Sequence, residues 1–398
     1  MLNLKQKNMN AYIVGGYRSA IGKAPRGAFR FMRPDDIAAE VINHLMKDFP
    51  QIDKSRIDDI VVGNAFPEGE SGFNMGRLLA LMTMGNVDVP GSTVNRYCAS
   101  GLETIAIASA KITAGLADII IAGGAETMSM ISMGGWRQVP NPTIAKNNPR
   151  WYLSMGLTSE MVSKEYGVTR EDQDAFAVKS VEKSIAALDA GHFKSQIVPI
   201  TVKENYYENG KMLSREYVVD TDEGPRRGTN YAGLAKLKPA FAADGTSTAG
   251  NSSQMSDGAA FVLVVSEKIM KEYNLKPIAR LVDYQVAGVE PYKMGIGPMV
   301  AIPKVLKHAG LELKDIDLFE LNEAFASQSI AIIRELGMDE SKVNINGGAI
   351  ALGHPLGATG AKLTVQLLND LKRTGGKYGM VTMCIGTGQG AAGIFEML

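Results

Sequence analysis

Cysteine is almost missing from this chain: two in 398 residues, Cys98 and Cys384. Lying far apart in sequence, they make a poor disulfide framework and suit a reducing compartment. Neither belongs to a Cys-x-x-Cys pair, which argues against zinc. An excess charge of one sign is missing too, because 42 Lys and Arg balance 42 Asp and Glu. No bulk field draws nucleic acid or an anionic membrane, so any anionic ligand must be held by local groups. No apolar run approaches the ~20 residues of a membrane-crossing helix. The opening stretch from Met1 to Asn8 lacks the apolar core of a secretory signal. Together these absences point to a cytoplasmic enzyme.

What is present is a long chain with internal echoes. At 398 residues, 45% apolar and 21% charged, it should form two or three domains of ordinary globular texture. Asp59-Ile60-Val61-Val62-Gly63-Asn64-Ala65-Phe66 is echoed by Asp317-Leu318-Phe319-Glu320-Leu321-Asn322-Glu323-Ala324-Phe325. Each copy leads through an Asn-containing turn to a helix and then to an apolar strand, 118–124 in the first half and 378–383 in the second. Continuous apolar strands are of the kind covered on both faces of a sheet. Two related α/β halves are the economical reading. The first spans 9–128 plus 244–272 and the second spans 275–398.

Between them, 129–243 has another texture. Met128 to Trp151 shows no clear period and reads as a long functional loop. A helix follows, with Thr169 and Asp172 spaced for a capping box, an apolar face of Ala177, Val181, Ile185 and Leu188, and Gly191 as its stop. Asp222 to Gly228 is a turn-rich basic loop. The insert reads as a lid over the site.

Five positions carry the chemistry. Cys98 stands where a strand gives way to a helix, and helix N-termini pull a thiol from ~8.5 towards roughly 3.5–7.5. His354 is one of four histidines and lies in a glycine-dense run, Gly347 to Gly360, that lets backbone approach a ligand closely. Rigidly placed by Pro355, it could serve as the base for a thiol. Cys384, in Cys-x-Gly, offers a second acid and base, and the Gly386 amide can point into the same cavity as an oxyanion donor. Asn322 adds a neutral donor. The run Gly388-Gln389-Gly390-Ala391-Ala392-Gly393 mimics a dinucleotide fingerprint. Too little chain follows for its helix, second strand and acidic residue, so it reads as a turn into a terminal strand.

Assembled, these motifs resemble the thiolase family over essentially the whole chain. They are Asn95-Arg96-Tyr97-Cys98-Ala99-Ser100-Gly101, Gly123-Gly124-Ala125-Glu126-Thr127-Met128, Asn322-Glu323-Ala324-Phe325, the Gly347–Gly357 run, and Cys384-Ile385-Gly386-Thr387-Gly388. The resemblance implies two similar halves in a five-layered α/β/α/β/α sandwich with an inserted loop domain, assembled as a homodimer or homotetramer. It makes Cys98 the acylated nucleophile, His354 its activator and Cys384 the proton carrier at the substrate α-carbon. Asn322 with His354 would form one oxyanion hole, and the Cys98 and Gly386 amides the other. Coenzyme A would be co-substrate, with no prosthetic group and no metal. Arg226 would meet its nucleotide phosphates, Leu237, Phe241, Ala249 and Ser253 would line its path, and Met155 would border the acyl pocket.

Short-chain, acetoacetyl-specific relatives often carry a histidine just before that methionine, whereas Ser154 stands here. This favours a degradative 3-ketoacyl-CoA thiolase over a biosynthetic acetyl-CoA acetyltransferase. A ketoacyl synthase would be expected to show Cys-His-His, and a hydroxymethylglutaryl synthase a glutamate base. A non-catalytic CoA- or lipid-binding protein on this scaffold would have lost at least one catalytic side chain, and none is lost.

Overall fold

The computed structural model describes residues 10–398. The stretch Met1 to Asn8 and the first position of the 9–128 segment lie outside the described residues. The first half runs β1 (Ala11–Ser19), α1 (Pro34–Lys47), β2 (Asp59–Gly63), α2 (Met75–Thr83), β3 (Gly91–Val94), α3 (Ser100–Thr113) and β4 (Ile119–Thr127). The insert supplies α4 (Met155–Glu165), α5 (Arg170–Asp189) and a hairpin of β5 (Ile200–Glu208) and β6 (Lys211–Val219). The chain then returns to the first half as β7 (Ser256–Ser266). The second half runs β8 (Ala279–Gly288), α6 (Gly297–Ala309), β9 (Leu318–Leu321), α7 (Ala326–Leu336), α8 (Thr359–Thr374), β10 (Tyr378–Ile385) and β11 (Gln389–Met397).

The predicted repeat is visible in the pairing. β2 lies parallel to β4, and its echo β9 lies parallel to β10. β2 also pairs in parallel with β3, a strand whose counterpart has shrunk to a single bridge between Phe319 and Val343. The two sheets meet edge to edge where Ile13 faces Ala279, giving one strand order, β9-β10-β11-β8-β1-β7-β4-β2-β3.

Burial explains the layering. β4 and β7 are buried at every position, so both faces of the first sheet are covered. One face packs on α1 and α2, through Ile37, Ile42, Leu45 and Leu79. The opposite face meets α3 and α8, through Leu102, Ile105, Leu363 and Leu367, in a core shared with Val381, Met383 and Phe395 of the second sheet. Beyond that sheet lie α6 and α7, packed through Ile302, Val305 and Ile332. The result is the five-layered α/β/α/β/α sandwich, with α3 and α8 as its middle layer. Each fully buried aliphatic side chain there stabilises by roughly 1.5–3 kcal/mol. α3 and α8 touch backbone to backbone: a Cβ on Gly101 would sit 2.8 Å from the Ala361 nitrogen. That contact brings the start of α3, and Cys98 with it, beside the start of α8, which follows His354.

The insert differs from its sequence reading in two respects. The stretch 128–151 is not wholly irregular: short helices form at Pro142–Asn147, capped by the Asn141 side chain, and at Pro149–Tyr152. The capping box on α5 forms as expected. Its inward face, however, is rotated: Ile185 and Leu188 are only half-buried, while Gln173, Asp174, Ser180 and Ser184 are buried with Ala177 and Val181. The cause is a polar partner, since Ser180 donates to the buried Glu323 carboxylate at 2.7 Å. The insert grips both halves. α4 and α5 lie against α7, whereas the hairpin reaches the first half, where Tyr217 donates to the Ala28 carbonyl at 3.1 Å and Arg30 pairs with Glu204.

Candidate active site

Cys98 sits in a single tight turn, Tyr97–Ala99, that runs directly into α3. Tyr97 has φ +44, a strained left-handed value for a bulky residue, held by its neighbours. The Asn95 side chain accepts from the Tyr97 amide at 2.8 Å and donates to the Ala65 carbonyl at 3.0 Å. Ser100 accepts from the Arg96 amide at 2.8 Å and donates to the Tyr97 carbonyl at 2.7 Å. The motif around Cys98 is thus a brace that presents a half-buried sulfur from strained backbone. The Gly386 amide, on a residue lying against Tyr97, and the amide of Cys98 itself both act to lower the pKa of that sulfur. This is the donor pair expected to form one oxyanion hole.

His354 follows Gly353, whose φ of +92 turns the chain, and its amide is pinned by the Gln254 carbonyl at 3.0 Å. Its tautomer follows from hydrogen-bond accounting. The Thr359 hydroxyl donates its one proton to the Pro355 carbonyl at 2.9 Å. At 2.6 Å from His354 Nδ1 it must therefore accept, so Nδ1 carries the hydrogen. Nε2 is left as an acceptor, taking a hydrogen bond from the Asn322 side-chain amide at 3.3 Å. No hydrogen bond joins the ring to Cys98, so the base is poised beside the thiol rather than already paired with it, as is common before substrate arrives. Replacing Thr359 with valine keeps the shape and removes the acceptor. We expect kcat to fall by about 10–100-fold with KM little changed, on the scale seen when a group orienting a histidine is lost. A Thr359→Val enzyme with parental kcat would refute the tautomer assignment, and Thr359→Ser should restore it.

Cys384 ends β10, wholly buried among Met155, Met294, Ala324 and Phe325. Burial, and then the nearby Cys98, raise its pKa. Cys98 itself is pushed up to about 11 by burial, against the opposing pull of the Gly386 amide and its own. His354 is pushed down to about 3, by burial first and then by Lys362. The lowered thiol expected from a helix N-terminus is thus corrected: desolvation outweighs it, and at rest thiol and imidazole are both neutral. Asn322 completes the group. Its main-chain carbonyl accepts from Gln328 at 3.0 Å, and its side-chain oxygen is buried without a protein partner. The Cys98 turn packs on the Leu356–Ala358 turn just after His354, His354 meets Asn322, and the two sulfurs feel each other's charge, so two thiols, an imidazole and a carboxamide share one neighbourhood. Such a set can attack a carbonyl carbon, stabilise the resulting oxyanion and move a proton at carbon. Among the described residues no three His, Cys, Asp or Glu side chains gather to hold a metal ion.

The other residues expected to meet the ligand are placed as follows. Phe241 stacks edge-on to Phe325 with centroids 5.9 Å apart and lies over Gly156, beside Met155. Leu237, Phe241 and Ala249 are exposed, and Ser253 is half-buried with its amide donating to the Ala324 carbonyl at 3.0 Å. Arg226 is exposed on a loop whose Gly224 carbonyl accepts from Gln254, the residue that also pins His354. A cavity of about 610 Å³ between Glu160 and Thr246 is lined by none of these residues, and we give the chemistry to the cysteines, His354 and Asn322.

Three residues escaped the sequence reading as individuals. Glu126 accepts from Asn64, the Ala65 amide and the Gly357 amide at 2.7–3.1 Å, tying the two halves beneath Cys98. Burial holds it up at about 7 despite those bonds. Lys362 is buried in α8, donating to the Gly353 carbonyl at 3.2 Å. Thr359 was visible only as part of the glycine run. Their signal was a charged or hydroxyl residue inside motifs otherwise built of glycine and alanine.

A repeated α/β sandwich holding these side chains defines a class of enzyme, the acyltransferases. Family models for the N-terminal and C-terminal domains of thiolase match residues 11–268 and 275–397. The chain belongs to the thiolase family and is an acyltransferase. It is 50% identical over 388 residues to the 3-ketoacyl-CoA thiolase of Bacillus subtilis, covering 97% of this chain and 99% of that protein. The peroxisomal 3-ketoacyl-CoA thiolase of Homo sapiens is 44% identical, covering 96% and 90%. Among solved structures, the acetyl-CoA acetyltransferase of Bacillus anthracis superposes with a TM-score of 0.89 at 37% identity, covering 99% of this chain and all of that one. Among the described residues no helix is long and apolar enough to cross a membrane.

Proposed function

We propose that this chain is a degradative 3-ketoacyl-CoA thiolase, an acetyl-CoA C-acyltransferase of fatty-acid β-oxidation. The observation that carries the reading is His354, held at Nδ1 by Thr359 and meeting Asn322 at Nε2, in the same neighbourhood as the two cysteines. Cys98 gives its proton to His354 Nε2 as its sulfur attacks C3 of a 3-oxoacyl-CoA. The transfer runs uphill at rest, so it is coupled to attack, with the new oxyanion taken by preorganised donors. The C2–C3 bond breaks, leaving the acyl group on Cys98, and the acetyl-CoA enolate takes a proton from Cys384. The Cys384 thiolate then deprotonates incoming CoA, whose sulfur takes the acyl group. The released Cys98 thiolate recovers its proton from His354. Coenzyme A enters as co-substrate along Arg226, Leu237, Phe241, Ala249 and Ser253, and no step calls for a prosthetic group or metal.

Ser154 before Met155, and the name borne by the relative 50% identical to this chain, support the degradative assignment. The rival reading, a biosynthetic enzyme condensing two acetyl-CoA, draws on the name of the structural neighbour. Turnover of acetoacetyl-CoA, 3-oxohexanoyl-CoA and 3-oxodecanoyl-CoA separates them. We expect thiolysis of all three, and activity confined to the four-carbon substrate would overturn the assignment. A homodimer or homotetramer is supported by the half-exposed edge strand β3 beside Phe73, which is 95% exposed. Two free cysteines fit a cytoplasmic setting.

A further inference from the structure

Two loops from distant parts of the sequence are bolted together on the first half, and what they display is unbalanced charge. Asp222 takes the buried Arg18 guanidinium through two bonds of 2.7 and 2.8 Å, and the Ile21 amide at 2.8 Å. Glu223 accepts from the amides of Lys23 at 2.9 Å and Ala28 at 3.0 Å, while its own amide donates to the Ile21 carbonyl at 3.1 Å. The turn 23–28 and the loop 222–228 therefore form one rigid rim.

That rim carries Lys23, Arg26 and Arg226. None of their side chains makes a hydrogen bond or ion pair among the described residues; the arginines are exposed and Lys23 is half-buried. Both arginines lie close enough to repel the Lys23 ammonium, which partial burial and then Arg226 push below the ordinary lysine range. The carboxylate that Lys23 does feel, Glu223, is committed to backbone amides. The adjacent Arg227 shows the contrast, since it is paired with Asp189. Where acid and base balance over the chain, three gathered and unpaired cations repel one another unless an anion joins them.

We propose that Lys23 and Arg26, together with Arg226, form a clamp for the phosphate groups at the nucleotide end of the CoA thioester. This rests on the thiolase reading for the identity of the ligand, but not for the presence of an anion site. Two arginines and a lysine suit a ligand of more than one negative charge, and the locked loops reduce the ordering cost of binding. Lys23 and Arg26 lie outside the insert, so the first half itself would contribute to holding CoA.

The test uses the full chain and the double variant K23A/R26A, whose truncated side chains have no protein partners to lose. Titration with 3′,5′-ADP should show binding to the parent that weakens about 10-fold in the variant, a loss in line with removing charge-assisted contacts, and that weakens further in both as salt is raised. The KM for CoA should rise by a similar factor. Dephospho-CoA reports which phosphate is held: a smaller effect places the clamp on the 3′-phosphate, an undiminished one on the pyrophosphate, and both support it. Unchanged 3′,5′-ADP affinity and KM would overturn the proposal. So would an equal loss with N-acetylcysteamine thioesters, which have no nucleotide. If the parent binds 3′,5′-ADP through these residues yet cleaves no 3-oxoacyl thioester, the clamp stands and the thiolase reading falls.

Discussion

Cys98→Ala is expected to abolish acyl transfer, lowering kcat/KM by about 10⁴-fold or more, on the scale of removing a covalent nucleophile. The loss should be this severe because no other nucleophile can take over. Cys384 is wholly buried, and burial raises its thiol pKa, so it is held protonated. Intact-mass measurement after incubation with acetyl-CoA should show one acetyl adduct on the parent and none on the variant. A stoichiometric adduct on the variant would sink the nucleophile assignment.

The pH behaviour of the same sulfur gives a second readout. With Cys98 pushed up to about 11 and His354 down to about 3, no thiolate–imidazolium pair is stored at neutral pH. Alkylation of Cys98 by iodoacetamide should therefore keep accelerating as pH rises past ~8.5, the value for a free thiol. A plateau from pH 6 upward would mean a stored ion pair. Stability follows the same sign. A folded-state value above the unfolded one means that the folded protein keeps a proton the unfolded chain has released. This contribution is complete below ~8.5 and is lost as pH rises towards about 11. The alanine variant lacks the group, so its thermal stability should fall less steeply across that window.

Much of the site was legible because it is built from backbone geometry, which glycines, prolines and short polar side chains announce. The Cys98 turn, the His354 run and the echo of 59–66 in 317–325 are all of this kind. What stayed hidden depends on three-dimensional surroundings. The tautomer of His354 is set by where Thr359 sends its single proton, which no spacing reveals. The upward shift at Cys98 reflects desolvation by segments from both halves. Lys362 lies on a helix with basic residues at its C-terminal end, yet it is buried because α8 is enclosed on all sides in the middle layer. α5 turned its serines inward for a similar reason: Glu323, more than a hundred residues further on, needed a donor. An apolar stripe predicts burial against hydrocarbon. It says nothing of a face that satisfies a buried carboxylate.

Cys384→Ser should divide the reaction in two. The hydroxyl is nearly isosteric and can still donate a hydrogen bond, so the site should keep its shape. Acylation of Cys98 by acetyl-CoA breaks a thioester and moves no proton at carbon, so this half should survive. Thiolysis and condensation both require a proton at the α-carbon, and an alcohol is a far weaker acid than a thiol. Loss of general acid–base catalysis is worth about 10²–10⁴-fold, and we expect exchange of the acetyl-CoA methyl protons with deuterated water to fall by that amount. The adjacency on which this depends is the mutual influence of the two sulfurs together with the Met155, Ala324 and Phe325 contacts that wall in Cys384. Proton NMR of acetyl-CoA in deuterium oxide reads the exchange, and intact mass reads the acyl-enzyme on the same sample. Parental exchange in the serine variant would remove Cys384 from the carbon chemistry. Loss of the acyl-enzyme as well would mean that the second thiol supports the first rather than the substrate.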